Sequence, residues 1–211
     1  MEKSSKQVYR FGIMGGTFDP IHYGHLVAAE MARTEFFINK VLFIPAGDPP
    51  HKAGHKISTG HERYEMVRRA IADNPFFEVS GLEIDRDGPS YTIDTLRQVH
   101  MERPDSELYF ITGSDALREI FFWREAMEML NLARFIGASR PGFETGEFLH
   151  RVESEYPEVR ERIHVLEVPA LAISSTDIRA RVAAGRSVRY LLPENVRLYI
   201  GEKGLYRSLN T

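Results

Sequence analysis

The sequence predicts an α/β fold, with a doubly wound and mostly parallel sheet followed by a small C-terminal helical extension. Two observations carry this prediction. Short apolar, strand-like runs alternate along the chain with longer runs whose apolar residues recur at helical spacing, which is typical of parallel strands joined by helices. After the sixth strand-like run the pattern becomes helical. The length of 211 residues suits one domain, with a core over about residues 8–170 and a helical part over about residues 171–211.

The individual elements follow from the same patterns. The predicted strands are Val8 to Met14, Val41 to Pro45, Phe77 to Ile84 with a break near Gly81, Leu108 to Thr112, Arg134 to Ala138, and Ile163 to Val168. The predicted helices are His25 to Phe37, His61 to Asp73, Thr92 to Met101, Ser114 to Leu132 in two pieces around Trp123, Phe143 to Glu161, Ser174 to Ala184 before a Gly185 cap, and one that opens at Pro193 and ends near Gly201.

Charge and composition exclude several classes of protein. The net charge of −3 lacks the basic excess of chains that live on nucleic acid. The absence of cysteine excludes disulfides, thiolate zinc sites, iron–sulfur clusters and a cysteine nucleophile. The first ten residues are polar, and no apolar run approaches the length of a signal core or a membrane span. We therefore expect a cytoplasmic protein without nucleic-acid or membrane partners.

The first motif, from Gly15 to His25, lies where the first strand passes into the first helix. Open α/β sheets bind ligands at such places. Gly15 and Gly16 would let the backbone approach a nucleotide without a Cβ in the way. His22 and His25 are three positions apart at a helix start, so their side chains can share one face, and the helix N-terminus adds partial positive charge aimed at a phosphate.

Simpler interpretations of these residues remain open. A Gly-Gly pair after a strand can be only a turn. Two histidines three positions apart can also ligate a metal, but the sequence places no third protein ligand nearby and holds no cysteine. We therefore predict no protein-held metal ion.

The second motif, from Ile173 to Arg179, places three hydroxyl side chains before a predicted helix. An ordinary N-cap explains one hydroxyl. It does not explain three of them, nor Arg179 in the first turn, where the helix dipole disfavours a cation. Hydroxyls, backbone N–H groups and an arginine at a helix start suit a polyphosphate.

Both motifs resemble signatures of the nucleotidyltransferase superfamily. Gly16 to His25 agrees with Gly-x-Phe-Asp-Pro-x-His-x-Gly-His at every fixed position, and the second motif agrees with Ile-Ser-Ser-Thr-x-Ile-Arg. Further segments resemble the bacterial nicotinate-mononucleotide adenylyltransferases: Pro49 to Lys52, Ser90 to Leu96, Phe110 to Asp115, Trp123, and Tyr190 to Pro193 with Val196, Tyr199 and Ile200. The resemblance therefore spans nearly the whole chain.

The resemblance implies a Rossmann-like sheet and a specific reaction. That reaction is the transfer of AMP from ATP to nicotinate mononucleotide, which gives nicotinate adenine dinucleotide and pyrophosphate. Catalysis would fall to His22, His25 and Arg179. The ATP-binding residues would be Gly15, Gly16, Thr17, Phe18, Asp19, Ser174, Ser175, Thr176 and Arg179. The mononucleotide-binding residues would be His51, Lys52, Tyr91, Thr92, Gly113, Asp115 and Trp123. Mg²⁺ would arrive with ATP, since no dedicated carboxylate cage is visible.

The acceptor-side residues have structural interpretations of their own. Trp123, the only tryptophan, can be a core residue instead of a flat face for a pyridine ring. The loop of His51 can be solvated instead of a phosphate-binding lid. Tyr91 and Thr92 can be no more than a strand-to-helix junction with a cap, and Asp115 can be simply an N-cap. Arg124 stands where related enzymes often carry an aromatic residue, and Arg140 receives no role.

Rival functions differ in how well the sequence suits them. Phosphopantetheine as the acceptor fits poorly with the length and with the Tyr91, Thr92 and Trp123 segments, whereas nicotinamide mononucleotide stays open. A non-catalytic nucleotide sensor would be expected to lose one of the three catalytic candidates, and all are present. A class I tRNA-charging enzyme would need a further domain. Both a monomer and a homo-oligomer remain open.

Overall fold

A six-stranded sheet forms the centre of the computed structural model, which describes residues 8–48, 57–139, 146–169 and 172–207. The strand order is β3-β2-β1-β4-β5-β6, and every neighbouring pair runs parallel. The strands are β1 (Tyr9–Gly16), β2 (Lys40–Pro45), β3 (Phe77–Val79), β4 (Ser106–Gly113), β5 (Ala133–Ser139) and β6 (Ile163–Glu167). The predicted doubly wound α/β fold is confirmed.

Helices connect the strands and cover both faces of the sheet. They are α1 (Tyr23–Glu35), α2 (Gly60–Ala70), α3 (Thr92–Glu102), α4 (Ser114–Arg118), α5 (Ala126–Leu132), α6 (Gly146–Glu155), α7 (Ser175–Ala183) and α8 (Glu194–Lys203). Short 3₁₀ turns occupy Ile120–Phe122 and Pro157–Arg162. Within the described ranges, no helix is long and apolar enough to cross a membrane.

The core consists of two apolar clusters, one on each face of the sheet. Successive strand side chains point to opposite faces, so Val41 and Phe43 join one cluster and Leu42 and Ile44 the other. Helices α1, α2, α7 and α8 contribute to the first cluster, and α3, α4, α5 and α6 to the second. Burial on both faces explains why the strands read as continuous apolar runs.

The strand order reverses between β1 and β4, which pair with each other at the middle of the sheet. The chain leaves β1 towards β2 on one side and leaves β4 towards β5 on the other. Connections that diverge in this way leave a crevice beyond the carboxyl ends of the two strands, where open α/β sheets bind ligands.

Two predicted elements end well before their predicted last residues. The third strand ends at Val79 instead of Ile84, because Gly81 accepts a hydrogen bond from the Asp85 N–H at 2.9 Å and closes a turn. The fifth predicted helix ends at Glu155, two residues before Pro157, which lacks an N–H and opens a 3₁₀ turn. The predicted division around Trp123 is confirmed, since Trp123 lies between the 3₁₀ turn and α5.

Candidate active site

A cleft of about 280 Å³ opens at the carboxyl ends of β1, β4 and β5, beside the start of α1. Gly15 and Gly16 from β1, His22 and His25 from α1, and Gly113 from β4 contribute to its wall. A larger concavity of about 540 Å³ lies between α1, α2 and α8, and Tyr23 is the one residue of either motif among those that line it. The first cleft is the candidate active site, because residues of both motifs line it at the point where the strand order reverses.

The two histidines of the first motif form a stacked pair. His22 is the N-cap of α1, and its backbone N–H donates to His25 Nδ1 at 3.3 Å. The ring centroids are 3.8 Å apart and the ring planes differ by 28°. Gly24 makes room for this arrangement, since a Cβ there would lie 3.0 Å from two atoms of the His22 ring. Phe18 meets His25 edge-on at 5.1 Å.

Burial sets the charge of His22. Only 7% of the residue is exposed, and this burial lowers the pKa of the imidazole from 6.5 to about 4. The ring is therefore neutral near pH 7. Its Nδ1 is buried and has no hydrogen-bond partner among residues the structure describes. A neutral imidazole donates through one nitrogen and accepts through the other, so the cleft wall holds a polar group with unused capacity.

The second motif is bound directly to the first. Ser175 Oγ donates to the Pro20 carbonyl at 2.9 Å, across 155 positions of the chain. Arg179 Nη1 donates to the Asp19 carbonyl at 2.7 Å, across 160 positions. The doubly wound sheet thus brings the two motifs into one loop cluster.

The other two hydroxyls of the second motif have local partners. Ser174 is the N-cap of α7 and accepts from the Asp177 N–H at 3.1 Å. Thr176 is exposed, and its Oγ1 accepts from Arg179 Nη2 at 3.3 Å. One hydroxyl caps the helix, one fixes the neighbouring loop, and one orients the arginine, so all three have distinct contacts.

A second group of side chains lies near the β4 part of the cleft but is not among the residues that line it. Trp123 meets Phe110 of β4 edge-on at 6.2 Å, and a Cβ on Gly15 would approach the same Phe110 ring to 3.1 Å. Trp123 and the end of β1 thus both lie next to the Phe110 ring. The Arg124 guanidinium lies 4.7 Å from the centre of the Tyr91 ring, so the segment after α4 reaches the start of α3.

The remaining acceptor-side candidates lie at helix starts. Tyr91 is the N-cap of α3 and Thr92 its first residue. Gly113 is the N-cap of α4, and Asp115 is an exposed residue of the first turn. These positions present backbone N–H groups that have no partner within their own helices.

Comparison with known proteins identifies the family. The cytidylyltransferase-like family model matches residues 13–181. A probable nicotinate-nucleotide adenylyltransferase of Desulfitobacterium hafniense (strain DSM 10664 / DCB-2) is 64% identical over 198 residues, which cover 94% of this chain and 96% of the relative. The corresponding protein of Moorella thermoacetica is 54% identical over 203 residues, which cover 94% of this chain and 92% of the relative. This chain belongs to the nicotinate-nucleotide adenylyltransferase family. The predicted family, enzyme class and reaction are thereby confirmed.

Solved structures support the fold. The nicotinic acid mononucleotide adenylyltransferase of Plasmodium falciparum, complexed with NaAD, superposes with a TM-score of 0.75 at 21% identity. The match covers 94% of this chain and 97% of the Plasmodium chain. The same Plasmodium enzyme complexed with APC superposes with a TM-score of 0.73.

Two predicted ATP-binding residues, Phe18 and Asp19, are buried and are not among the residues that line the cleft. Phe18 is 2% exposed and packs against Phe43 at a centroid distance of 5.9 Å. The Asp19 carboxylate is buried and accepts from Tyr206 Oη at 2.6 Å. The Thr17 carbonyl accepts from Arg63 Nη1 at 3.0 Å. These residues shape the loop, while its glycines and histidines line the cleft.

The glycines of the loop have a packing requirement that the sequence did not reveal. A Cβ on Gly16 would lie 3.1 Å from the Phe18 ring, just as one on Gly15 would meet Phe110. The space predicted to admit a nucleotide is therefore next to the protein's own aromatic rings. His51, Lys52 and Arg140 lie outside the described residues.

Sequence reasoning missed several polar residues in or near the site. Thr112 and Ser139 line the cleft at the ends of β4 and β5, and their positions at carboxyl ends of predicted strands could have signalled this. Arg63, Glu83 and Tyr206 are polar groups withdrawn from solvent whose partners come from distant segments, and no local signal indicates them. Among the described ranges, no group of three or more His, Cys, Asp or Glu side chains is arranged to hold a metal ion.

Proposed function

We propose that this cleft is where the chain transfers AMP from ATP to nicotinate mononucleotide. The observation that carries the proposal is the junction of the two motifs. A stacked histidine pair at the start of α1 lies beside a loop whose Asp19 carbonyl accepts a hydrogen bond from Arg179 at 2.7 Å. The imidazoles line the cleft at the helix N-terminus, and the Arg179 guanidinium is held next to them through the Asp19 carbonyl; groups of these kinds suit a triphosphate.

The reaction places modest chemical demands on the side chains. A phosphate oxygen of the mononucleotide attacks the α-phosphorus of ATP, and the bond between that phosphorus and the oxygen bridging to the β-phosphate breaks, which releases pyrophosphate. The attacking phosphate is already an anion at neutral pH, so no general base is required. The protein must hold two anions in line and offset the charge that builds on the leaving group.

His22, His25 and Arg179 fit these demands in different ways. His22 is neutral near pH 7 and can donate a hydrogen bond without bringing a full charge into a buried wall. Arg179 contributes a guanidinium, whose fork geometry suits phosphate oxygens. We assign His22 and His25 to the α-phosphate and Arg179 to the β- and γ-phosphates. ATP enters as its magnesium complex, with the ion held mainly by phosphates and water.

The acceptor is assigned to the side of the cleft that faces β4 and α3. Trp123 supplies a flat ring for the pyridine, and the start of α3 at Tyr91 and Thr92 supplies N–H groups for its carboxylate. Gly113 and Asp115 lie at the start of α4, where they can meet the ribose. His51 and Lys52, which lie outside the described residues, complete this set; only the sequence resemblance supports their assignment. A carboxylate needs donors only, so we propose that nicotinate mononucleotide is preferred over its amide.

Pyrophosphate release tests this proposal directly. The purified chain is mixed with magnesium–ATP and, in separate reactions, nicotinate mononucleotide, nicotinamide mononucleotide or phosphopantetheine. We expect the highest kcat/KM with nicotinate mononucleotide, because the amide would leave a polar group unpaired at a cost of about 1–3 kcal/mol. Comparable efficiency with the amide would refute the acceptor preference alone. No release with any acceptor would refute the assignment of the cleft.

A further inference from the structure

The side chain of Arg63 lies fully inside the protein, at the second turn of α2. It is 1% exposed and is the largest of the fully buried side chains in the described part of the chain. Its three nitrogens donate to three backbone carbonyls: Nε to Ser58 at 3.0 Å, Nη1 to Thr17 at 3.0 Å and Nη2 to Gly47 at 3.1 Å. Thr17 lies in the loop after β1, whereas Gly47 and Ser58 both lie in the connection between β2 and α2.

One of these contacts fixes the nucleotide side of the cleft. Thr17 directly follows Gly16, which lines the cleft, and precedes Phe18, whose φ of 51° lies in the left-handed region. A side chain with a Cβ adopts that region only under constraint. The hydrogen bond from Arg63 to the Thr17 carbonyl is such a constraint.

A second contact fixes the acceptor side. The Gly47 carbonyl accepts from Arg63, and the Gly47 N–H donates to Ser90 Oγ at 3.0 Å. A Cβ on Gly47 would overlap the carbonyl of Glu83, so this backbone has little freedom to move. Ser90 is followed by Tyr91, the N-cap of α3. Arg63 is thus connected through Gly47 and Ser90 to the start of α3, which is the helix start assigned to the pyridine carboxylate.

A purely stabilising role explains this arrangement poorly. Burial lowers the pKa of the Arg63 guanidinium, and the opposing influence of Asp19, Tyr206 and Glu83 is smaller. The hydrogen bonds above go to neutral carbonyls. Buried charges with this much desolvation add little net stability compared with apolar side chains of similar volume. The forked guanidinium fixes the distances between the three backbone carbonyls that it binds, which an apolar side chain could not do.

We propose that Arg63 is a positioning residue that holds the ATP-binding turn and the acceptor-binding segment at one fixed separation. The inference rests on the proposed function, because that function assigns the two substrates to these two segments. Adenylyl transfer needs an attacking oxygen in line with the bond that breaks, and a displacement of about 1 Å can cost roughly a hundredfold in rate. Each substrate on its own contacts only one segment. Loss of the fork therefore changes kcat far more than either Michaelis constant.

The test compares variants that keep the site filled. Arg63→Ala leaves three buried carbonyls unpaired and is expected to fold poorly. Arg63→Lys keeps the charge with one compact donor head, and Arg63→Gln keeps an amide donor without charge. The matched control is Arg68→Lys on the same helix, where the guanidinium is exposed and donates to Glu65 at 2.7 Å. Pyrophosphate release gives kcat and both Michaelis constants, and circular dichroism gives the folded fraction.

For Arg63→Lys we expect kcat per folded molecule to fall about tenfold to a hundredfold, with each Michaelis constant within about threefold of the unsubstituted chain. Arg68→Lys should match the unsubstituted chain. Unchanged kcat in folded Arg63→Lys and Arg63→Gln, or a rise in one Michaelis constant alone, would overturn the inference. Loss of folding in both variants would assign Arg63 to stability and overturn it as well. If the unsubstituted chain releases no pyrophosphate, the proposed function fails first and the inference fails with it.

Discussion

His22 makes the stability of the folded chain depend on pH in a way that can be calculated. Burial lowers the pKa of its imidazole from 6.5 to about 4. In the unfolded chain the ring regains an ordinary pKa near 6.5, so the unfolded state binds the proton more readily. Stability is then fully present above about pH 6.5 and falls as the pH decreases towards 4. The full difference amounts to about 3 kcal/mol, which is a large fraction of the stability of a typical domain.

The test compares how the free energy of unfolding depends on pH in the unsubstituted chain and in His22→Asn. Asparagine is a good N-cap and does not titrate in this range, so the variant should keep α1 and lose the pH-dependent contribution. Urea unfolding followed by circular dichroism at several pH values between 8 and 4 gives the free energy of unfolding of each protein. Other groups, including His164 with its pKa lowered by burial, remain in both and cancel in the difference.

The predicted difference has a definite sign and shape. Between pH 6.5 and 4 the unsubstituted chain should lose about 3 kcal/mol more than His22→Asn, and above pH 7 the two curves should run parallel. His61→Asn, on the exposed surface of α2, is the matched control and should follow the unsubstituted chain. Parallel curves for His22→Asn over the whole range would show that His22 is not buried as a neutral ring, and the argument for a neutral donor in the cleft would fail.

Three further predictions concern individual contacts. His25→Ala should lower kcat roughly a hundredfold, because one donor to the α-phosphate typically contributes about 3 kcal/mol, while the melting temperature changes little; near-normal turnover would remove His25 from the mechanism. Arg179→Ala should raise the Michaelis constant for ATP more than that for the acceptor, and equal rises measured in the same assay would contradict its assignment. Tyr206→Phe should lower the free energy of unfolding by about 1.5–3 kcal/mol, since it deletes the 2.6 Å bond to the Asp19 carboxylate. Tyr190→Phe, which is 81% exposed, should have no measurable effect in the same urea titration.

The sequence predicted the sheet well because its strands are buried on both faces. β2 and β4 are continuous apolar runs, and the predictions differ from the structure by at most two residues at each end. The third strand was predicted too long for the same reason. Leu82 and Ile84 continue the apolar pattern, but Gly81 closes a turn that directs Glu83 into a buried polar cluster. An apolar pattern indicates burial, and it does not distinguish a strand from a partly buried turn such as this one.

The sequence predicted those parts of the candidate site whose residues are close together in the chain. It did not predict the parts whose residues come from distant segments. His22, Gly24 and His25 belong to one helix start, so their spacing alone indicates that the rings share a face. Arg63 gave no such signal. It lies on a helix with several charged neighbours, and its partners are backbone carbonyls, whose positions depend on the complete fold. Contacts between a side chain and distant backbone have no residue pattern that could reveal them.

The same contacts explain why so much of the first motif faces away from the cleft. Within four positions the loop presents three carbonyls, those of Thr17, Asp19 and Pro20, and each is bound by a donor from another element: Arg63, Arg179 and Ser175. A carbonyl oxygen that faces a triphosphate would repel it. A carbonyl whose oxygen accepts a hydrogen bond from another element is oriented towards that donor instead. Under the proposed function, the donors of α2 and α7 keep these acceptors out of the path of the triphosphate, while the histidines and the helix N-terminus supply donors to it. The second motif then has two proposed roles: the guanidinium of Arg179 offsets the charge of the phosphates, and Arg179 and Ser175 hold the loop in place.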